Sequence, residues 1–175
     1  MQTLQFRNEQ LDISQLPEVK QEAFTKLEKR YIYLIYTRWI FSLLVALGIF
    51  TFFWYKTQEQ ILPWVYLSIL GVILLWNIYR AIIIKLGFPI KSYLMRDKDI
   101  SYQSGIIFYQ NTTVPFNRIQ HVEINQGALA KIFKLASLKI YTAGGSASDL
   151  SIPGLKPDTA AQLKEFLSKT IAEHE

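Results

Sequence analysis

WIFSLLVALGIFTFFWY, residues Trp39–Tyr55, contains no charged side chain. As a helix rising about 1.5 Å per residue the run spans about 25 Å, slightly short of a bilayer's hydrocarbon core. The preceding YIYLIYT (Tyr31–Thr37) adds two apolar, aromatic turns. Arg38, between the two stretches, can snorkel its guanidinium to the headgroups while its stem stays in the apolar zone. A second uncharged run, ILPWVYLSILGVILLWNIY (Ile61–Tyr79), follows a short Lys56–Gln60 connection and reaches about 28 Å. Pro63 falls in its first turn, where a missing amide donor costs little. Trp64 and Tyr66 near one end, and Trp76 and Tyr79 near the other, make two interfacial belts. Either run alone has a competing reading as a buried core helix. Two in tandem, neither with a polar face, read as a membrane hairpin. A cleaved signal peptide is not expected, because the first run is too long for one and is followed by a second span.

Lysine and arginine counts orient the hairpin. Lys20, Lys26, Lys29, Arg30 and Arg38 precede or enter the first span, Lys56 alone lies in the connection, and Arg80, Lys85, Lys91, Arg96 and Lys98 follow the second. The short connection is therefore expected outside and both flanks in the cytoplasm, with the chain in the cytoplasmic membrane. The net charge of +5 sits largely beside the apolar runs, where anionic headgroups are a nearer partner than nucleic acid. With no cysteine in the chain, disulfide frameworks, thiol catalysis and cysteine-based zinc sites are excluded.

Three regions follow: a cytoplasmic segment over 1–30, the hairpin over 31–87 and a cytoplasmic domain over 88–175. In the first, Leu16–Arg30 has Pro17 at a first helical position and Phe24, Leu27 and Tyr31 at helical spacing, which predicts a juxtamembrane helix. In the third, strands are expected over Ile90–Arg96, Asp99–Ser104, Ile106–Val114, His121–Gln126, Ser137–Thr142 and around Leu150–Ile152, with turns at Asp97-Lys98 and Ser104-Gly105 and a bend over Pro115–Arg118. Ala128–Leu135 suits one or two helical turns. Over Pro157–Ile171 the stripe Ala160, Leu163, Phe166, Leu167, Ile171 makes an amphipathic helix. Antiparallel strands followed by one terminal helix make an α+β domain, a sheet or small barrel capped by that helix.

The order of two spans, Gly105, Val114-Pro115-Phe116-Asn117-Arg118-Ile119-Gln120-His121-Val122, Gln126-Gly127, Thr142-Ala143-Gly144-Gly145 and Ile152-Pro153-Gly154-Leu155 resembles the bacterial pleckstrin-homology-like (PH-like) proteins of the membrane-flanked type, in the small two-span variety called YdbS-like. The resemblance implies a seven-stranded, strongly bent antiparallel sheet capped by the carboxyl-terminal helix. It also implies a larger membrane protein with several copies of the same domain as a frequent companion. Lys134 departs from the pattern, standing where the family often has glycine after the apolar turn.

Chemistry is sparse. His121 and His174 form no ligand pair. Asp97 and Asp99 flank a lysine in a turn, where acids are usually solvated. Gly144-Gly145-Ser146 lacks the lysine and helix of a phosphate loop. Ser42, Thr51, Ser68 and Asn77 supply no central acid or base for a transport path. No enzyme, cofactor or metal is expected. What remains is a membrane-anchored adaptor or scaffold that binds another membrane protein with PH-like domains or a second copy of itself, the alternative being recognition of anionic lipid. Arg118, Gln120 and His121 in a polar turn, with Lys131, Lys134 and Lys139 from the next segment, are expected to form one basic face. The competing reading has Arg118 and Gln120 satisfying turn carbonyls and the lysines merely solubilising. A phosphoinositide pocket is disfavoured, since only one arginine lies in this region.

The charge asymmetry gives a direct test of topology. An impermeant maleimide applied to intact cells should label a cysteine placed at Gln58 and leave cysteines at Gln10 and Ala160 unlabelled, and the reverse pattern would invert the hairpin.

Overall fold

The computed structural model describes residues 24–57, 59, 62–144 and 149–172. Helix α1 (Arg30–Thr57) and helix α2 (Pro63–Gly87) are the two apolar runs. Each is long and apolar enough to cross a membrane, and almost none of their most apolar stretches is buried within the protein. They pack as antiparallel neighbours, as a short connection requires. The Thr57 and Tyr66 hydroxyls lie 2.6 Å apart, and the Phe50 ring meets Tyr66 edge-on at 6.3 Å. Asn77 is buried and donates to the Ile73 carbonyl one turn earlier, so its amide is paired within its own helix. Helix α2 runs further than the uncharged stretch, past Arg80 to Gly87, where a short 3-10 turn (Phe88–Ile90) leads into the domain.

Among the described residues, seven strands make two antiparallel sheets. β1 (Thr25–Lys26), β2 (Ser92–Met95), β3 (Asp99–Ser104) and β4 (Gln110–Pro115) form one in that order; β5 (Ile119–Asn125), β6 (Ala136–Thr142) and β7 (Leu150–Leu155) form the other. Between β4 and β5 a 3-10 turn over Phe116–Arg118 makes the expected bend, and helix α3 (Ala128–Ile132) supplies the helical turn between β5 and β6. Strand β6 alternates without a break, its even-numbered residues from Ala136 to Thr142 buried. Leu138 and Ile140 pair with Ile124 and Val122 on one side and with Ile152 and Leu150 on the other. The facing sheet adds the cross-strand pair Ile100 and Val114. Pro153, which cannot donate to a ladder, lies in β7 at the edge of its sheet, where it is tolerated.

Helix α4 (Pro157–Ala172) covers the second sheet. Ala160 and Leu167 are fully buried, Leu163 and Ile171 partly so, and Phe166 stacks edge-on against Phe116 at 6.0 Å while staying half-exposed. Burial of Ala160 makes it a poor position for the labelling test, and exposed Lys164 on the same helix serves instead.

Two expectations are corrected. The segment before the hairpin is not helical through to Arg30. Thr25–Lys26 form β1 against Tyr93 and Ser92, Leu27 enters the core, and α1 begins at Arg30. Sheet pairing and burial of Leu27 outweigh the helical spacing, and the earlier part of that segment, Gln10 included, lies outside the described residues. The expected strand Ile106–Val114 begins only at Gln110, because Gly105 turns the chain at φ +95° and leaves Ile106–Tyr109 as a loop.

The hairpin and the domain meet at Tyr31. The Glu28 amide donates to the Gly154 carbonyl at 3.1 Å, and the Tyr31 ring lies so close to the Gly154 α-carbon that a Cβ there would fall 2.5 Å from Tyr31 Cγ. Gly154 also sits at φ +67°, so glycine is required twice over. The Lys91 ammonium stands 5.7 Å from the centre of the same tyrosine ring, and burial lowers its pKa. Behind it, burial pushes the Tyr102 hydroxyl up to about 12, with Tyr31 adding to the effect.

Leu167→Asp places a charge in a fully enclosed site and should cost more than about 4 kcal/mol, enough to unfold the domain. Leu163→Asp, at a partly covered position, should cost less, and Lys164→Asp little. Thermal melts of the detergent-solubilised full chain followed by circular dichroism rank the three. Equal melting temperatures would show that α4 does not close the core.

Candidate binding surfaces

The expected basic face divides into two. Arg118 closes the 3-10 turn before β5, whereas Lys131 and Lys134 follow the far end of that strand. A seven-residue strand keeps these ends about 20 Å apart.

At the Arg118 end, β4 is the last strand of its sheet and has no partner on its outer side among the described residues. A cleft of about 410 Å³ runs along it, lined by Thr112, Thr113, Pro115, Arg118 and Thr142. The Arg118 carbonyl accepts the Ala143 amide at 3.2 Å, which fixes the turn through the backbone and leaves the guanidinium exposed. Gln120 falls at the register shift between Ile119 and His121 and is also exposed.

His121 is aimed elsewhere. Its ring stacks on Tyr141 across the β5–β6 ladder, centroids 4.1 Å apart, on the outer face of the second sheet. Lys139 lies 4.4 Å over the other partner of that stack, Tyr141, whose hydroxyl donates to Glu123 at 3.0 Å. The hydrogen bond with Tyr141 holds the Lys139 ammonium above the usual lysine pKa, helped by Asp149 and Glu123. These four side chains satisfy one another as a surface ladder.

At the other end, Lys131 and Lys134 join Arg30, from the first turn of α1, and Lys156, from the start of α4, around a cleft of about 490 Å³. Glu28 and Asp158 also line it, so four cations face two carboxylates, one of which, Glu28, lies 3.4 Å from Lys156. Sequence reasoning missed Arg30 and Lys156 because they are far apart in the chain, and the Glu28–Gly154 backbone bond is what brings them together. Gln126 braces this end by donating to the Leu135 carbonyl at 2.8 Å. Asp99 is held by Arg96 at 2.7 Å in the β2–β3 hairpin. His174, Gly145 and Ser146 lie outside the described residues.

Lys134 has φ +52°, and no other non-glycine residue among those described has a positive φ. This is the position where the family resemblance leads glycine to be expected. Lys134→Gly should therefore stabilise the domain by about 0.5–1 kcal/mol, the left-handed penalty less glycine's extra entropy, whereas Lys134→Ala should not. Denaturant midpoints of the two variants check this.

Comparison with known proteins places the chain in context. The family model described as "Bacterial PH domain" matches residues 32–171. The chain is 36% identical over 104 residues to the UPF0699 transmembrane protein YdbS of Bacillus subtilis (strain 168), covering 58% of this chain and 64% of that one. It is 28% identical over 105 residues to YdbT, a UPF0699 transmembrane protein of the same organism, covering 59% of this chain and 21% of the other. The matched regions thus span less than two thirds of either relative. No solved structure gives a significant match.

Proposed function

The chain belongs to the bacterial PH domain family, and on that premise we propose that it is a non-enzymatic, membrane-anchored adaptor that captures a protein partner along the open β4 edge beside Arg118. The observation that carries this reading is the coincidence of an unpaired strand edge, a cleft along it and an exposed guanidinium at its end. An extended segment of a partner can add to such an edge through backbone hydrogen bonds, and a guanidinium makes fixed bidentate contacts with a carboxylate. The partner is a membrane protein with PH-like domains or a second copy of this chain. Similarity to a fifth of the much longer YdbT fits a larger companion built on the same domain. Two spans confine the domain to the membrane surface and raise its effective concentration toward such a partner. In this reading the membrane is the bacterial cytoplasmic one, with both flanks of the hairpin in the cytoplasm.

A second reading has its own observation. The cleft of Arg30, Lys131, Lys134 and Lys156 opens at the first turn of α1, the level at which anionic headgroups lie. Because the two surfaces occupy opposite ends of β5, one pair of variants separates the readings. Partner capture after crosslinking in native membranes should fall about tenfold with Arg118→Ala, as for a packed interface residue, and remain with the double variant Lys131→Ala/Lys134→Ala. Should the double variant lose capture and also shed the anionic lipid that co-purifies with the full chain, seen by native mass spectrometry, the headgroup reading replaces the first.

A further inference from the structure

Beyond residue 90, seven large apolar side chains among the described residues are exposed, and four of them are consecutive: Ile106 at 37%, Ile107 at 61%, Phe108 at 88% and Tyr109 at 60%. Such a run on the surface of a folded domain has no structural use in water. The loop is built, not slack. Gly105 adopts φ +95°, and a Cβ there would collide with the Phe108 carbonyl. At the other end the Tyr109 hydroxyl donates to Gln103 at 3.0 Å.

Its position gives it an occupant. The Ile106 side chain lies against Gly87, the last residue of α2, where an added Cβ would come within 3.3 Å of Ile106 Cδ1. Helix α2 is 25 residues long, about 37 Å, against a hydrocarbon core of about 30 Å and a bilayer of about 40–45 Å with its headgroup layers. Gly87 therefore sits inside the headgroup layer on the domain's side, and the loop beside it is at the same depth. Lys85 and Lys91 flank this end of α2, as cations do at an anionic surface. Aromatic side chains next to aliphatic ones are the composition favoured at that boundary.

We infer that Ile106–Tyr109 is a membrane-inserted loop, with Ile107 and Phe108 buried at the acyl boundary of the leaflet nearest the domain. It gives the domain a second hold on the bilayer beside the helices and fixes which face it turns to the lipid.

The test uses the full chain in nanodiscs that hold no other protein, with a cysteine at Phe108 or, as a control, at Lys164, each carrying an environment-sensitive fluorophore. Lipid brominated high on its acyl chains should quench the label at 108 several-fold more than the label at 164, and aqueous iodide the reverse. In an Ile107→Asp background, with an unchanged melt, the quenching by bromolipid should be lost. Equal quenching at both positions overturns the inference. So does a blue-shifted label at 108 that bromolipid does not reach, which would mean a second copy covers the loop. Bromolipid quenching that persists with Ile107→Asp overturns it as well, since the dye would then be drawing the loop into lipid.

Discussion

The contact of Tyr31 with Gly154 is the constraint on which the arrangement depends. Tyr31 belongs to the first turn of a membrane helix and Gly154 to the last strand of the domain, so this packing interaction ties the first span to the domain, as the contact of Gly87 with Ile106 ties the second. It works because glycine leaves room for a ring at van der Waals distance and tolerates a left-handed backbone. The backbone bond from Glu28 to Gly154 and the burial of Leu27 extend the contact into a short seam. With that seam in place, Arg30 and Lys156 become neighbours, and Lys91 is held over the tyrosine ring.

The seam also decides what the surface can bind. It brings cations together at the membrane end of the domain, while the strand β5 carries Arg118 away from them. A single continuous basic face is thereby ruled out by strand length. His121 and Lys139, which look like candidate ligands in sequence, are occupied with Tyr141 and Glu123 on the outer sheet face. Two surfaces remain, one polar and strand-edged, the other cationic and beside the first turn of α1. They differ in how an interaction would respond to salt, since dispersed lysines are screened and a packed arginine much less so.

Much of this was legible in the sequence wherever one periodicity held without competition. The two uncharged runs became α1 and α2, the alternation in Ser137–Thr142 became β6, and the stripe from Ala160 to Ile171 became α4. The motif order pointed to the family and to antiparallel strands capped by a terminal helix, although the strands divide into two sheets and one of them, β1, comes from before the hairpin. Lys134 is a case where a departure from pattern carried geometric information, because the backbone keeps its left-handed turn with an unfavourable residue in place. The errors share a cause. Thr25–Lys26 form a strand and not a helix because their partner lies beyond the whole hairpin, and no local window contains it. Ile106–Tyr109 read as strand because apolar β-formers score alike whether they face a core or a membrane. The split of the basic residues likewise depends on distances that spacing along a chain does not encode.

The interruption of the first sheet has a consequence for the order of events during synthesis. β1 and β2 are neighbours in that sheet, yet the entire membrane hairpin is made between them. Leu27 leaves the ribosome before either span and finds its core only after both, when the strands from β2 onward have followed. The sheet therefore closes only after α1 and α2 have turned back on each other, which makes correct insertion of both spans a precondition for a folded domain. A chain that inserted one helix would keep Thr25–Lys26 on the wrong side of the bilayer from Ser92–Tyr93, with an unpaired strand and an open core. Such a product presents the exposed apolar surface that cellular proteases and chaperones act on, so the topology of the domain acts as a proofreading step for the topology of the membrane segment.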